Sequence, residues 1–136
     1  MEQQLRALLI AGFPTMPTDR INWGQHMATA GGPYFVMHLI SLNEGLTMQG
    51  RDGLETARVQ IDVYALTFGT AVEMGRSLKS LLHGYQGGGF RLIQFSGMRS
   101  LREGGAGSLQ GGANGGEALY RASLDFITHW RNENAG

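Results

Sequence analysis

Four histidines are the residues of this sequence whose type best suits metal binding or catalysis. They are His26, His38, His83 and His129, and they fall on different predicted elements. None occurs in a ligand spacing such as H-E-x-x-H, in which one helical turn brings two imidazoles to the same ion. The sequence contains no cysteine, so thiolate metal sites and disulfides are excluded. We therefore predict no metal site.

Two carboxylates occupy similar positions on two predicted strands. Asp62 and Asp125 both fall on the polar face of their strand, and each shares that face with an arginine. Paired carboxylates can carry acid–base catalysis. Ion pairs on a sheet face that meets a neighbouring subunit explain the same residues, and we favour that interpretation. The predicted subunit interface comprises Arg58, Gln60, Asp62, Arg121 and Asp125.

Motifs for nucleophilic catalysis and for phosphate binding are incomplete. No serine stands in G-x-S-x-G, and Ser96 lies inside a predicted strand. The run Gly105-Ala106-Gly107 is followed by Gly111, which is not the spacing G-x-G-x-x-G, and the loop leads to a strand rather than to a helix. We predict no catalytic residue, no cofactor-binding residue and no cofactor.

Length and charge narrow the class of protein. The chain has 136 residues, and Lys+Arg and Asp+Glu each number 11, which predicts a single domain over 1–136 without the basic excess of nucleic-acid-binding proteins. A chain with little net charge associates readily with other copies or partners. The apolar run near the N-terminus is too short to span a membrane and lacks the basic start of a signal peptide. We expect no membrane association and a protein retained in the cytoplasm.

Hydrophobic periodicity predicts an α+β domain. Leu5, Leu8 and Leu9 indicate a short helix over 2–10, and alternation of apolar and polar residues over 57–65 indicates a strand with one buried face. Thr67 is a suitable N-cap for a central helix that ends at Gly84. Further strands are predicted at 21–23, 34–43, 90–101 and 117–130, with a turn at 44–54. The expected fold is a mostly antiparallel sheet with both helices on one face and long hairpin loops.

Glycine is abundant and unevenly placed. Many of the 22 glycines lie in the stretches 84–89 and 104–116. Glycine loses more backbone entropy on folding than other residues, so the loops 44–53 and 103–116 are predicted to be flexible alone and ordered by a partner. The predicted docking residues are Glu44, Met48, Arg51, Asp52, Arg102, Glu103, Leu109 and Gln110.

The segment 58–85, RVQIDVYALTFGTAVEMGRSLKSLLHGY, closely resembles the central signature of phage tail-completion, or tail-terminator, proteins. In that family a strand of the type R-V-Q-I-D-V-Y/W passes through a short turn into a helix with spaced Ala and Leu, which ends at Gly. The segments GGPYFVMHLIS and LRALL resemble the family's preceding strand and N-terminal helix. The resemblance covers about 1–85 well and the last strand more loosely, and the chain departs from the family at 87–89 and 104–116.

The resemblance implies a structural virion protein without catalytic residues. It implies a homohexameric ring in the neck region of a virion tail, assembled in the cytoplasm of a bacterial host. Such a ring caps the tube of major tail protein, meets the head-completion (connector) protein, and lets DNA pass through its lumen. The sequence does not distinguish a phage from a defective prophage or a gene transfer agent. Two alternatives stay open: a head-completion or neck ring protein, and a small enzyme that uses Asp62, Asp125 and a histidine in one cleft.

Overall fold

Two helices and five strands form the part of the chain that the computed structural model describes, which is residues 1–24, 33–47, 50–104 and 118–131. Helix α1 spans Glu2–Gly12, and a 3-10 turn at Thr18–Arg20 leads into strand β1. The strands are β1 Ile21–Trp23, β2 Tyr34–Thr47, β3 Gly50–Ala65, β4 Phe90–Gly104 and β5 Ala118–Arg131, and helix α2, Phe68–Leu82, joins β3 to β4.

The strands form one sheet in the order β1-β2-β3-β5-β4. β1 runs parallel to β2, and the other neighbours are antiparallel. Both helices contribute side chains to one core against this sheet. The predicted fold class, a mostly antiparallel α+β sheet with an N-terminal and a central helix, is confirmed.

The core follows the alternation that the sequence predicts. Val59, Ile61 and Val63 of β3 are buried with Leu124 and Phe126 of the neighbouring β5. Because side chains of a strand alternate between the two faces, the intervening residues of β3 and β5 lie on the face that carries no described helix. The core side chains of the helices are Leu5, Leu9, Ala71, Leu78 and Leu82.

Helix α2 begins and ends where the sequence predicts. The Thr67 hydroxyl accepts a hydrogen bond from the Thr70 backbone N–H (3.2 Å), which caps the first turn. Gly84 has φ of 82°, the left-handed conformation that ends many helices. In the middle of the helix, a Cβ on Gly75 would lie 3.1 Å from Met98 Sδ. The glycine therefore lets the helix lie close on the sheet.

The hairpin between β2 and β3 is longer than the sequence predicts. The predicted turn over 44–54 is wrong in extent, since backbone pairing continues from Glu44↔Glu55 to Thr47↔Gly50. A register shift between Glu44 and Leu46 sets Gly45 of β2 opposite three residues of β3, 52–54, so the extra residues lie on β3. Gly45 and Gly53 therefore lie at a strand irregularity rather than in a turn. Of the second predicted loop, 103–116, the first two residues belong to β4, and the remainder lies outside the described residues.

Candidate functional site: the helix-free face of the sheet

The face of the sheet opposite the helices is polar. On β3 it is formed by Arg58, Gln60, Asp62 and Tyr64, which alternate with the core residues. The registers place Asp62 in one row with Val36 of β2, Ser123 of β5 and Arg99 of β4. This surface is called the helix-free face below.

A buried carboxylate stands at the centre of this face. Asp62 is 2% exposed, and its Oδ1 accepts hydrogen bonds from Ser123 Oγ (2.7 Å) and Gln60 Nε2 (2.9 Å). Its Oδ2 lies 3.3 Å from His38 Nε2 and 4.0 Å from Arg121 NH1. We call these residues the Asp62 cluster. Three strands contribute to it, because β2 and β5 lie on either side of β3.

The cluster has the geometry of a structural network. Ser123 is 1% exposed, so neither its hydroxyl nor the Asp62 carboxylate is presented to a substrate. Ser123 donates to the carboxylate and not to His38, whereas an activated nucleophile needs a base that accepts its proton and can pass it on. A buried carboxylate is stable only when hydrogen-bonded and paired, and the cluster provides both from within the chain.

The remaining predicted interface residues differ from Asp62 in their surroundings. Arg58 is exposed and Asp125 is half-buried, and neither side chain makes a hydrogen bond or ion pair with another described residue. The sequence places all three on a common polar face, and the structure agrees. The structure also shows a difference among them. The Asp62 carboxylate is bound by side chains of the same chain, whereas the charges of Arg58 and Asp125 can meet a partner.

The histidines are not brought together. His83 Nδ1 accepts a hydrogen bond from the Phe95 backbone N–H (3.0 Å), and His129 Nε2 lies 2.8 Å from Gln94 Oε1. His38 belongs to the Asp62 cluster, and His26 lies outside the described residues. Across 1–24, 33–47, 50–104 and 118–131, no group of three or more histidine, aspartate or glutamate side chains is placed to hold a metal ion.

Five of the predicted docking residues fall in described parts of the chain, and they lie at the two ends of the sheet. Glu44 is on β2, while Arg51 and Asp52 are on β3, near the β2–β3 hairpin tip. Arg102 and Glu103 are near the end of β4, at the opposite end of the sheet. Met48, Leu109 and Gln110 lie outside the described residues.

An exposed apolar segment on β2 is a feature that the sequence analysis missed. Leu39 is 41% exposed, and Ile40 and Leu42 are each 51% exposed. A register shift between Leu39 and Ser41 makes Ile40 the extra residue of a bulge. The available signal was the adjacent pair Leu39-Ile40, which breaks the alternation expected of a strand with one buried face.

Comparisons with models of protein families and with curated protein sequences found no match to this chain. Neither α1 nor α2, the helices of the described residues, is long and apolar enough to cross a membrane.

Proposed function

We propose that this protein is a structural component of a phage-like particle, a tail-terminator or tail-completion protein. Copies of the chain form a ring, hexameric by the resemblance of 58–85 to that family. The ring covers the end of the tube of major tail protein and provides the surface that joins the head-completion (connector) protein. Its place is the neck of the virion tail, and it catalyses no reaction.

One observation carries this proposal: strand pairs extend from opposite ends of the sheet. At one end, β2 and β3 continue beyond the last β3–β5 row, Leu54↔Arg131, through the pairs Leu46↔Arg51 and Thr47↔Gly50. This two-stranded ribbon extends about 14 Å at about 3.4 Å per residue. At the other end, the β4–β5 pair continues past the row of Ala65 and Tyr120 to Gly104↔Ala118.

Extensions at opposite ends suit a ring that contacts one neighbour above and a different one below. A stack of tube rings is an open assembly, and its end surface recruits further subunits until another protein covers it. A ring whose two ends carry different hairpins can match the tube with one end only. The helix-free face, where Arg58 and Asp125 have no partner among the described residues, adds a charged surface for such contacts.

The experiment uses tubes grown from the major tail protein of the same particle. We expect purified protein to form a hexamer, alone or on tubes, by native mass spectrometry. Added to growing tubes, it should stop elongation, and electron microscopy should show a density cap at one end. Shortening 105–116 should leave the ring intact and weaken docking at one end, and replacing 46–51 by a two-residue turn should weaken docking at the other end. Arg76→Ala, on the exposed face of α2, is the matched control.

Two outcomes contradict the proposal. If tubes elongate normally at saturating protein, the chain is not a terminator. If the ring binds the head connector but never the tube, the chain is a neck ring of the head side. Normal tails with both shortened variants would mean that docking uses the rigid body of the ring and not its hairpins.

A further inference from the structure

Each outer side of the sheet, along β2 and along β4, has a segment that no described strand covers. β2 pairs with β1 through Phe35, Val36 and Met37, and no described strand lies along its outer edge from Leu39 to Thr47. β4 is the other edge strand. Its first part is covered by the α2–β4 connection, since Gly84 N donates to Ile93 O (2.7 Å) and Ile93 N to Tyr85 O (3.1 Å). The edge from Ser96 to Gly104 faces no described strand.

The exposed apolar segment lies on the open part of β2. Leu39, Ile40 and Leu42 occupy the first positions after β1 ends. Natural edge strands are usually protected by lysine, proline, a β-bulge or a covering element. The segment 39–47, LISLNEGLT, contains neither lysine nor proline, and its bulge at Ile40 leaves that apolar side chain 51% exposed. A strand edge that no described strand covers, next to exposed apolar side chains, is the kind of surface that another strand covers.

We propose that this edge is covered by a second copy of the chain: the open edge of β2, Leu39–Thr47, pairs with the open edge of β4, Ser96–Gly104, of the next subunit. Strand directions permit this pairing. From β2 onward the order is β2-β3-β5-β4, and each of β3, β5 and β4 is antiparallel to the strand before it. β4 of one copy and β2 of the next therefore continue the antiparallel order, with the helices of both copies on the same side.

The open segment of β2 and the open segment of β4 lie at different positions along the strand direction. Ser100 of β4 lies in the row of Phe35, whereas the middle of the open β2 segment is near Asn43. The offset of about eight residues corresponds to about 27 Å. A displacement between successive strands is what tilts the strands of a closed barrel. The interface joins different surfaces of the two copies, so repetition closes into a ring when the rotation permits. The inference rests on the proposed ring and specifies how its subunits join.

Cysteine cross-linking tests the pairing, because the chain contains no cysteine of its own. Four double variants combine Ser41→Cys or Asn43→Cys on β2 with Gly97→Cys or Arg99→Cys on β4, all on the helix-free face. Within one chain these positions are three strand spacings apart, about 14 Å, and a disulfide needs Cα atoms within about 7 Å. Any disulfide is therefore intermolecular. We expect a ladder of covalent oligomers ending at the ring in at least one variant under mild oxidation.

The controls separate edge pairing from general association. Ser41→Cys with Ser80→Cys, which lies on the exposed side of α2, should give no ladder. In the cross-linking background, Ile40→Lys should raise the protein concentration needed for half-maximal ladder formation about tenfold or more, because it places a charge on the pairing edge. Phe68→Lys alters an equally exposed apolar residue, 54% against 51%, away from the edge, and should leave the ladder unchanged.

Failure of this inference is distinguishable from failure of the proposed function. Hexamers that cap tubes, with no ladder in any of the four variants, would overturn the edge pairing and leave the terminator role intact. A ladder from protein that does not stop tube growth would support the pairing and overturn the role. A monomer in every condition, tubes included, would reject both.

Discussion

Ser123 Oγ donates a hydrogen bond to Asp62 Oδ1 over 2.7 Å, between two residues that lie directly opposite each other on β5 and β3. Both side chains are buried on a face that the sequence predicts to be open to water or a partner. The carboxylate therefore joins β3 to β5, and through His38 to β2. This geometry indicates that the Asp62 carboxylate fixes the register of β2, β3 and β5.

Asp62→Ala should destabilise the fold, whereas Asp125→Ala should not. The first substitution removes the acceptor of two hydrogen bonds, and buried donors left without a partner cost about 1–3 kcal/mol each. We expect a loss of about 2–4 kcal/mol in the free energy of unfolding. Asp125 makes no described ion pair, so its replacement should change stability by less than about 0.5 kcal/mol. Urea denaturation of both variants measures the difference.

Ser123→Ala provides the internal check on that prediction. It leaves the carboxylate with Gln60 Nε2 and the His38 ring, so the loss should be about 1.5–3 kcal/mol, the range for one hydrogen bond to a charged group. Equal stability of wild type and Asp62→Ala would show that the cluster does not hold the strands together.

The burial of Asp62 illustrates what sequence reasoning could and could not reach. The alternation along β3 is local, so the faces of Val59, Ile61 and Val63 follow from the sequence alone. The burial of Asp62 depends on which residues of β2 and β5 share its row, and that register is set by pairing across 61 residues of chain between Asp62 and Ser123. Nothing in the local pattern contains this information.

The hairpins show a second limit, which concerns glycine. The role of Gly84 is predicted correctly, because the end of a helix gives a glycine a definite position. The predicted turn over 44–54 includes Gly45 and Gly53, whereas both lie within strands at a register shift. Glycine is favoured in both settings, so its presence alone does not decide between them. The open edges of β2 and β4 follow from the order of the sheet and could not be predicted from composition.

Two glycines of α2 should respond to substitution in opposite directions. Gly69 has no atom within 4 Å of an added Cβ, so Gly69→Ala should stabilise the protein by up to about 1 kcal/mol through helix propensity. Gly75→Val should destabilise it by about 1–3 kcal/mol, since the added atoms meet Leu124 and Ala122 of the sheet. Thermal unfolding of the two variants is the measurement. A stabilising Gly75→Val would mean that the helix does not lie on the sheet at this point.

His83→Ala should expose one backbone amide at the edge of β4. The imidazole Nδ1 accepts the Phe95 N–H, and loss of that acceptor should accelerate amide hydrogen exchange at Phe95 about tenfold, equivalent to about 1.4 kcal/mol of local stability. His129→Ala is the control, because its ring contacts the Gln94 side chain and no backbone amide. Unchanged exchange at Phe95 in the His83 variant, measured by NMR, would contradict the bond.

Gly89→Ala should displace Trp130 from its place beside Phe90. A Cβ on Gly89 would overlap the Trp130 ring, whose centroid lies 4.8 Å from that of Phe90. The φ angle of Gly89 is not positive, so the effect is steric and not a matter of backbone strain. We expect a loss of about 1–3 kcal/mol from overpacking and an altered Trp130 emission in a Trp23→Phe background. Gly97→Ala, where an added Cβ meets no atom within 4 Å, should change neither quantity. If the Gly89 and Gly97 variants behave alike, Trp130 does not pack over Gly89, and the anchor between β5 and the start of β4 lies elsewhere.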